Sequence, residues 1–186
     1  MNKKLVAGLF SGLILLQIGI PLSMIAKREV VLKSGTQFRF KTAPIDPYDA
    51  FRGRYVSLRI EANKVMRPQG LNLKHGQKIY AHITVDENGF AKFSRITTQK
   101  PEGIPYLRTT ISYISGNDVF LNSPISRYYM EEKAAPEAEK IYQQHSRGNK
   151  QDAYVAVRIK NGLSVIEGLY VGGQRIEDAV RQKMRD

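Results

Sequence analysis

The chain has 186 residues, and 29 Lys and Arg against 17 Asp and Glu give it a formal net charge of +12. This length suits one domain with appendages and excludes a large multidomain enzyme. The absence of cysteine excludes disulfides, thiolate metal ligands and cysteine nucleophiles, and 42% apolar residues are too many for a wholly disordered chain.

The first predicted element is the uncharged segment Leu5–Ala26, which is long enough to cross a membrane. As a helix it would span about 33 Å, slightly more than the roughly 30 Å hydrocarbon core of a bilayer. Lys3 and Lys4 precede the segment, and Lys27 and Arg28 follow it, which slightly favours a cytoplasmic N-terminus. We therefore expect a single-pass anchor in the cytoplasmic (inner) membrane.

Three domains follow from this interpretation: an anchor at residues 1–28, a β-rich domain outside the cytoplasm at 29–172, and a basic, helix-like tail at 173–186. Two alternatives for the apolar segment are a cleaved signal peptide and a buried helix of a soluble protein. The spacing of Gly8 and Gly12 would let two membrane helices pair closely as a homodimer, although glycine is common in such helices for other reasons.

Alternation of apolar and polar residues predicts antiparallel strands in the body of the chain. This pattern occurs at Arg54–Glu61, Ile79–Val85, Phe90–Thr97, Thr109–Ser115, Val119–Asn122, Ala153–Ile159 and Leu163–Val171. In the first of these strands, Val56, Leu58 and Ile60 should face the core. In Ile79–Val85 the odd-numbered residues should face the core, which would leave His82 on the opposite side.

Predicted turns join these strands into hairpins. Asn88-Gly89 and Asn161-Gly162 supply residues that accept positive φ, and Gly116-Asn117-Asp118 would close a third hairpin. The first two hairpins resemble each other in sequence, which would divide the body into two similar β-rich halves, although such hairpins also resemble each other by chance. The predicted fold class is therefore mainly β, with antiparallel hairpins and a transmembrane helix.

One short helix is predicted in the body of the chain. Pro136 suits a first helical position, Glu137 suits the first turn, and Gly148 can end the element. Ala138, Ile141, Tyr142 and His145 would share one face of this helix. The segment Ile176–Met184 has a weaker helical pattern.

A resemblance to a known family rests on the segment from Pro44 to Ile60, which reads PIDPYDAFRGRYVSLRI. Gly53, Tyr55 and Leu58 match the motif of the GDYXXLXY family of bacterial membrane-anchored proteins, and the preceding run Asp46, Asp49 and Arg52 is similar to the residues that lead into it. Two positions depart from the motif: Arg54 stands where the family has Asp, and Ile60 stands where it has Tyr.

A second segment is similar to the aromatic and acidic block in the second half of that family. It comprises Arg127, Tyr128 and Glu132, with Glu139 seven residues further on. The resemblance implies a single-span protein outside the cytoplasm, often encoded beside multi-span membrane proteins. It brings no established activity with it.

The carboxylates of Asp46 and Asp49 allow two interpretations. With Arg52 and Tyr55 they could form a cation site or an acid/base pair, which would require their pKa values to be separated by burial and repulsion. Alternatively, they cap backbone N–H groups in a turn and pair with the nearby arginines. The second interpretation is favoured, because the neighbouring cations already neutralise the carboxylates.

The remaining sequence offers no recognisable catalytic centre. The three histidines lack metal-ligand spacing, and phosphate-binding and nucleophile motifs are missing. Glu132 and Glu139 could form a glycosidase-like pair only if folding set their distance, so a role at a helix start is favoured. We expect no cofactor, no metal and no catalytic residue.

An interaction face is predicted on the side of the strands that is opposite the core. If the strands form one sheet, it displays Tyr55, Arg59, Tyr80, His82, Tyr154 and Arg158. Such aromatic and arginine side chains bind anionic groups, but a membrane anchor argues against nucleic acid. The expected partners are a multi-span membrane protein or an anionic envelope component, although these tyrosines could instead be packed beneath other elements.

The sequence thus favours a non-enzymatic, membrane-anchored envelope accessory protein. The alternative is a periplasmic enzyme or small-ligand binder that uses the neighbourhood of Asp46, Asp49, Arg52 and Tyr55. A cleft with an unpaired buried carboxylate would favour the alternative, whereas an exposed aromatic face would favour the accessory protein.

Overall fold

The computed structural model describes residues 3–43, 55–146 and 151–185. Within these ranges the chain forms three helices and twelve strands. The helices are α1 (Lys3–Ser34), α2 (Ala135–Ser146) and α3 (Ile176–Lys183). The strands are β1 (Thr36–Ala43), β2 (Tyr55–Ser57), β3 (Arg59–Ile60), β4 (Lys64–Met66), β5 (Lys78–Val85), β6 (Ala91–Thr97), β7 (Tyr106–Ser115), β8 (Asp118–Leu121), β9 (Arg127–Tyr129), β10 (Tyr154–Lys160), β11 (Leu163–Val171) and β12 (Gln174–Arg175).

The strands form two five-stranded antiparallel sheets and one separate pair. The first sheet has the order β12-β11-β10-β1-β3, the second has the order β4-β8-β7-β5-β6, and β2 pairs with β9. The predicted mainly β, antiparallel fold is thereby confirmed. The two similar hairpins lie in different sheets, but the first sheet also takes β1 and β3 from the start of the body, so the sheets do not divide the chain into consecutive halves.

The predicted turns close the hairpins where the sequence places them. Asn161 and Gly162 between β10 and β11 have φ values of 51° and 78°, and Gly89 between β5 and β6 has a φ of 77°. Both positive φ values in the β10–β11 turn match the twist of a two-residue hairpin. Gly116, also at positive φ, lies in the turn between β7 and β8.

The hydrophobic core is formed by the apolar residues that alternate with polar residues along the strands. Val56, Leu58 and Ile60 are all buried, as the period of two predicts. The predicted single strand Arg54–Glu61 is nevertheless interrupted at Leu58, because its two parts pair with different partners: β2 with β9, and β3 with β1. Strand β1 was not predicted, although its buried Phe38 and Phe40 alternate with polar neighbours.

Two residues of β5 differ in burial from the prediction: His82 is buried, and Val85 is exposed. The alternation itself persists, because Ile79, Ala81 and Ile83 are all buried and the extra residue in the irregular pairing between Ala81 and Ile83 belongs to β6. His82 lies 3.3 Å from the hydroxyl of Thr97, which is opposite Tyr80, so His82 is covered on the side of Tyr80.

The predicted helix in the body is confirmed as α2, whose buried face includes Ala138, Ile141 and Tyr142. The weaker pattern near the C-terminus also forms a helix, α3. Its side chains Ile176 and Val180 are buried and belong to the core cluster, so the segment predicted as a tail packs against the domain.

The long helix α1 holds the apolar segment and is long and apolar enough to span a membrane, by the same criteria that a signal sequence meets. Its described side chains from Gly8 to Val30 are exposed, so this segment is not a buried helix of the domain. The helix continues past the predicted boundary at residue 28 to Ser34, and Val31 in its last turns is buried.

Candidate functional site

The two sequence blocks that resemble the family lie side by side as the pair β2–β9. Tyr55 is opposite Tyr129, Val56 is opposite Tyr128, and Ser57 is opposite Arg127. Because side chains alternate along a strand, Tyr55, Arg127 and Tyr129 share the outer side, whereas Val56 and Tyr128 face the core. A segment of the first half thus meets a segment of the second half in one small ribbon.

The outer side of this ribbon, formed by Tyr55, Arg127 and Tyr129, is here called the motif face. The rings of Tyr55 and Tyr129 are 5.6 Å apart and tilted by 60°, and the Arg127 guanidinium lies 5.1 Å from the centre of the Tyr55 ring. A hydrogen bond with Tyr129, followed by the proximity of Tyr55, raises the pKa of Arg127. Tyr129 is 67% exposed, so the face offers a fixed cation beside open aromatic surface.

The inner side of the ribbon carries a polar node that joins it to α3. The Tyr128 hydroxyl donates a hydrogen bond to Oε1 of Glu177, and Oε2 of Glu177 lies 3.4 Å from Nε of Arg175. Burial, followed by the hydrogen bond to Glu177, raises the pKa of Tyr128 to about 12. Oε2 of Glu177 is buried, and no donor among the described residues forms an aligned hydrogen bond with it. Within that part of the chain, the positive charge of Arg175 alone balances the negative charge of this oxygen.

Helix α2 closes the other side of this region. Its Tyr142 is buried and donates a hydrogen bond of 3.2 Å to the carbonyl of Ala43, and burial raises the pKa of this tyrosine. Glu132 is exposed in the turn before α2, and Glu139 lies half-buried on the helix. The role of these two glutamates stays a prediction.

The residues of the predicted interaction face do not lie on one sheet. Tyr55 belongs to the β2–β9 pair, Arg59 and Tyr154 to the first sheet, and Tyr80 to the second. Tyr80 makes an edge-to-face contact of 5.4 Å with Tyr106. The prediction of a common face assumed that the strands form one sheet, and the observed topology places these residues on different sheets.

Arg158 is engaged within the fold. Its Nε and Nη2 donate to Glu167 at 2.9 and 3.2 Å, and its Nη1 donates to the carbonyl of Gly35 at 3.2 Å. Arg158, followed by Gln37, holds the pKa of the Glu167 carboxyl below its ordinary value through these hydrogen bonds. We therefore assign Arg158 a structural role at the junction with α1.

His82 is also held inside the structure. Its Nδ1 accepts from Nε of Arg95 at 3.4 Å, and its Nε2 lies 3.3 Å from the Thr97 hydroxyl. Burial, followed by the charge of Arg95, lowers the pKa of His82. A neutral, internally bonded imidazole of this kind is not available to a partner.

A cluster of aromatic and basic side chains on the first sheet was not predicted from the sequence. Tyr154 stacks on Tyr170 with ring centres 4.9 Å apart and meets Phe90 at 5.8 Å. Arg39 lies 5.7 Å and Lys41 lies 5.1 Å from the centre of the Phe90 ring. Because β1 was not predicted, its two cations, Arg39 and Lys41, were not assigned to any surface.

The carboxylates and their neighbours in the first motif, Asp46, Asp49, Arg52 and Gly53, lie outside the described residues. Their predicted pairing in a turn stays a prediction. Within residues 3–43, 55–146 and 151–185, no group of three or more histidine, aspartate or glutamate side chains is placed to hold a metal ion.

The model of the GDYXXLXY protein family matches residues 17–169. This match covers most of the chain and includes both strands of the β2–β9 ribbon, so the chain belongs to the GDYXXLXY family. No curated protein and no solved structure matches it.

Proposed function

We propose that this member of the GDYXXLXY family is a non-enzymatic accessory protein of the cell envelope. It is anchored in the inner membrane by α1, its β-rich domain lies outside the cytoplasm, and its motif face binds an acidic extracytoplasmic segment of a multi-span membrane protein. An anionic envelope polymer is the competing partner, and the experiment below separates the two.

The observation that carries this proposal is the exposure of the motif face. Tyr129 leaves most of its surface open, and Arg127 is held beside the two tyrosine rings at a fixed position. Tyrosine and arginine dominate the binding energy of protein interfaces, because they combine a large contact area with directional donors. The net charge of +12 favours an acidic partner.

The anchor is supported by the continuity of α1. Helical structure extends from the apolar segment through Lys27 and Arg28 to Ser34, and Val31 packs against the domain. A retained helix fits this arrangement better than a cleaved signal, because cleavage near Ala26 would cut inside the helix. Protease added to spheroplasts should degrade the domain, and alkaline carbonate should leave the full chain in the membrane fraction.

Site-specific photo-cross-linking tests the motif face. Tyr129 is replaced by a photoreactive phenylalanine analogue in the full-length protein, and membranes are irradiated. We expect one protein adduct, and Arg127→Glu should reduce its yield about tenfold or more, as loss of a central interface arginine does. The matched control places the same analogue at Tyr113 of β7, which is 52% exposed and stacked on Phe120.

The same adduct at Tyr113, or a Tyr129 adduct that Arg127→Glu leaves unchanged, would contradict a specific motif face. An adduct that proteases do not shorten would identify an envelope polymer instead of a protein. The enzyme or ligand-binder alternative rests on Asp46, Asp49 and Arg52, and it would be favoured if Asp49→Asn abolished a measurable activity without lowering stability.

A further inference from the structure

The junction between α1 and the domain has few ways to bend. Val31 is buried, and the N–H of Gly35 donates to the carbonyl of Val31 at 2.8 Å. A Cβ atom on Gly35 would lie 2.5 Å from that carbonyl oxygen and 3.2 Å from the backbone of Ile159. Lys160 Nζ donates to the Ser34 hydroxyl at 2.7 Å. The end of α1 is therefore held against β10 at both Ser34 and Gly35.

A fixed helix end means that one particular surface of the domain surrounds it. Strand β1 starts beside this helix end and pairs antiparallel with β10, so the β10–β11 turn lies there as well. The segment between β6 and β7 joins the same surface, since a groove of about 420 Å³ is lined by Ser34, Lys100, Ile104 and Lys160 together. We call this surface the collar: residues 27–34 of α1, residues 100–105, and residues 160–163.

The collar combines positive charge with open apolar side chains. Its cations are Lys27, Arg28, Lys33, Lys100 and Lys160, and its acids are Glu29 and Glu102, which leaves a net charge of +3. Glu29 is already paired with Lys33 at 3.1 Å. Ile104 and Leu163 are 42% and 41% exposed on this surface.

The collar lies within the reach of a lysine side chain from the headgroup layer. If the hydrocarbon core ends at Ala26, the eight following helical residues raise the domain by about 12 Å. A headgroup layer is about 5–8 Å thick on each side, and an extended lysine side chain reaches about 6 Å, as long charged side chains do when they snorkel to an interface. The exposed Lys100 can therefore reach lipid phosphates, and Lys160, held by Ser34, adds its charge to the same surface.

We propose that the collar binds the anionic headgroups of the same bilayer that α1 crosses, with Ile104 and Leu163 at the headgroup boundary. The lysines attract the lipid phosphates, and the apolar side chains leave water on contact. This inference rests on the proposed anchor, but it adds a second membrane contact that sets the orientation of the domain.

The test uses the full-length protein in vesicles with a single fluorescent label. The chain has no cysteine, so Ile104→Cys gives one site for an environment-sensitive dye. In vesicles that contain phosphatidylglycerol, we expect a blue-shifted emission and quenching by nitroxide on the lipid headgroups. Both should weaken in phosphatidylcholine vesicles and at high salt. Lys100→Gln should lower the ratio of bound to free collar about fivefold, as for one lysine near an anionic surface.

The control label is placed at Met66→Cys, which is 70% exposed. Met66 pairs with Asp118 of β8, and Asp118 pairs with Ser115 at the end of β7 remote from Tyr106, about 30 Å along the strand from the collar. This label should stay in water in every vesicle. A label at Leu163→Cys repeats the measurement at an independent collar position, should Ile104→Cys disturb the fold.

Two outcomes would overturn the inference, and they differ from failure of the anchor. Protein that floats with the vesicles but leaves both collar labels in water has an anchor and no lipid contact. Equal quenching with and without phosphatidylglycerol would exclude recognition of anionic headgroups. Protein that fails to float with vesicles refutes the anchor itself, and with it the collar.

Discussion

Tyr128→Phe should destabilise the protein, because the change removes one hydroxyl and leaves the packed ring. The Glu177 carboxylate then loses the donor at its Oε1 and, among the described residues, keeps Arg175, whose Nε lies 3.4 Å from Oε2. Hydrogen bonds to charged groups contribute about 1.5–3 kcal/mol. The Glu177 side chain is 32% exposed, so water replaces part of the lost bond, and we expect a loss of about 1–2 kcal/mol.

Thermal unfolding of the full chain in detergent measures this loss. A domain of this size loses about 2–4 °C in Tm for each kcal/mol. Tyr113→Phe is the matched control, because it removes an exposed hydroxyl from a stacked ring and should stay within about 0.5 kcal/mol of wild type. A double-mutant cycle with Glu177→Gln should show a coupling of at least about 0.5 kcal/mol.

The same tyrosine gives the stability a defined dependence on alkaline pH. The pKa of Tyr128 is raised to about 12 in the folded state, above the usual value of about 10. The folded protein therefore keeps a proton that the unfolded chain loses, and this contribution is complete below about pH 10 and declines as the pH rises towards 12. Equal stabilities of Tyr128→Phe and Tyr113→Phe, or the same alkaline decline in both, would refute the polar node.

Three further predictions concern other parts of the fold. Leu58→Ala should cost about 2–5 kcal/mol in chemical denaturation, because Leu58 is only 4% exposed; an unchanged midpoint would show that it does not pack in the core. Glu167→Gln should remove stability that wild type has above the ordinary carboxyl pKa and loses in acid, because Arg158 lowers the pKa of Glu167; identical acid unfolding curves would count against this pair. Gly162→Ala should be destabilising in thermal melts, because φ is +78° and the new Cβ would lie 2.6 Å from the Tyr106 ring; an unchanged Tm would exclude that contact.

Local signals in the sequence predicted much of the fold. Alternation placed Val56, Leu58 and Ile60 in the core, and Asn161-Gly162 was recognised as a turn because few residues accept two successive positive φ values. These predictions succeed because each depends on neighbours within a few residues. Strand β1 carried the same alternation directly after Ser34-Gly35, which is a turn signal, and it was nevertheless not predicted.

Predictions that depended on distant pairing were less successful. His82 is buried against Arg95 and Thr97 of the neighbouring strand β6, which the β5 sequence by itself does not reveal. The bond between Tyr128 and Glu177 joins residues 49 positions apart, and neither residue type indicates the other. The sequence placed the first family block on a strand, but only the tertiary structure shows that the second block forms β9 and pairs with it.

Strand β1 connects the two surfaces to which we assign contacts. It starts at Thr36, directly after the junction with α1, and ends at Ala43, whose carbonyl binds Tyr142 beside the motif ribbon. Its seven residue steps extend about 23 Å, and its pairing with β10 along most of its length, together with buried Phe40, resists bending. A collar fixed on the bilayer would therefore hold the motif face at a set position relative to the membrane, because the strand that leaves the anchor binds α2 at its far end, and α2 packs against β2 of the ribbon. A partner segment bound there meets a surface already oriented by the membrane, which reduces the rotational freedom lost on binding.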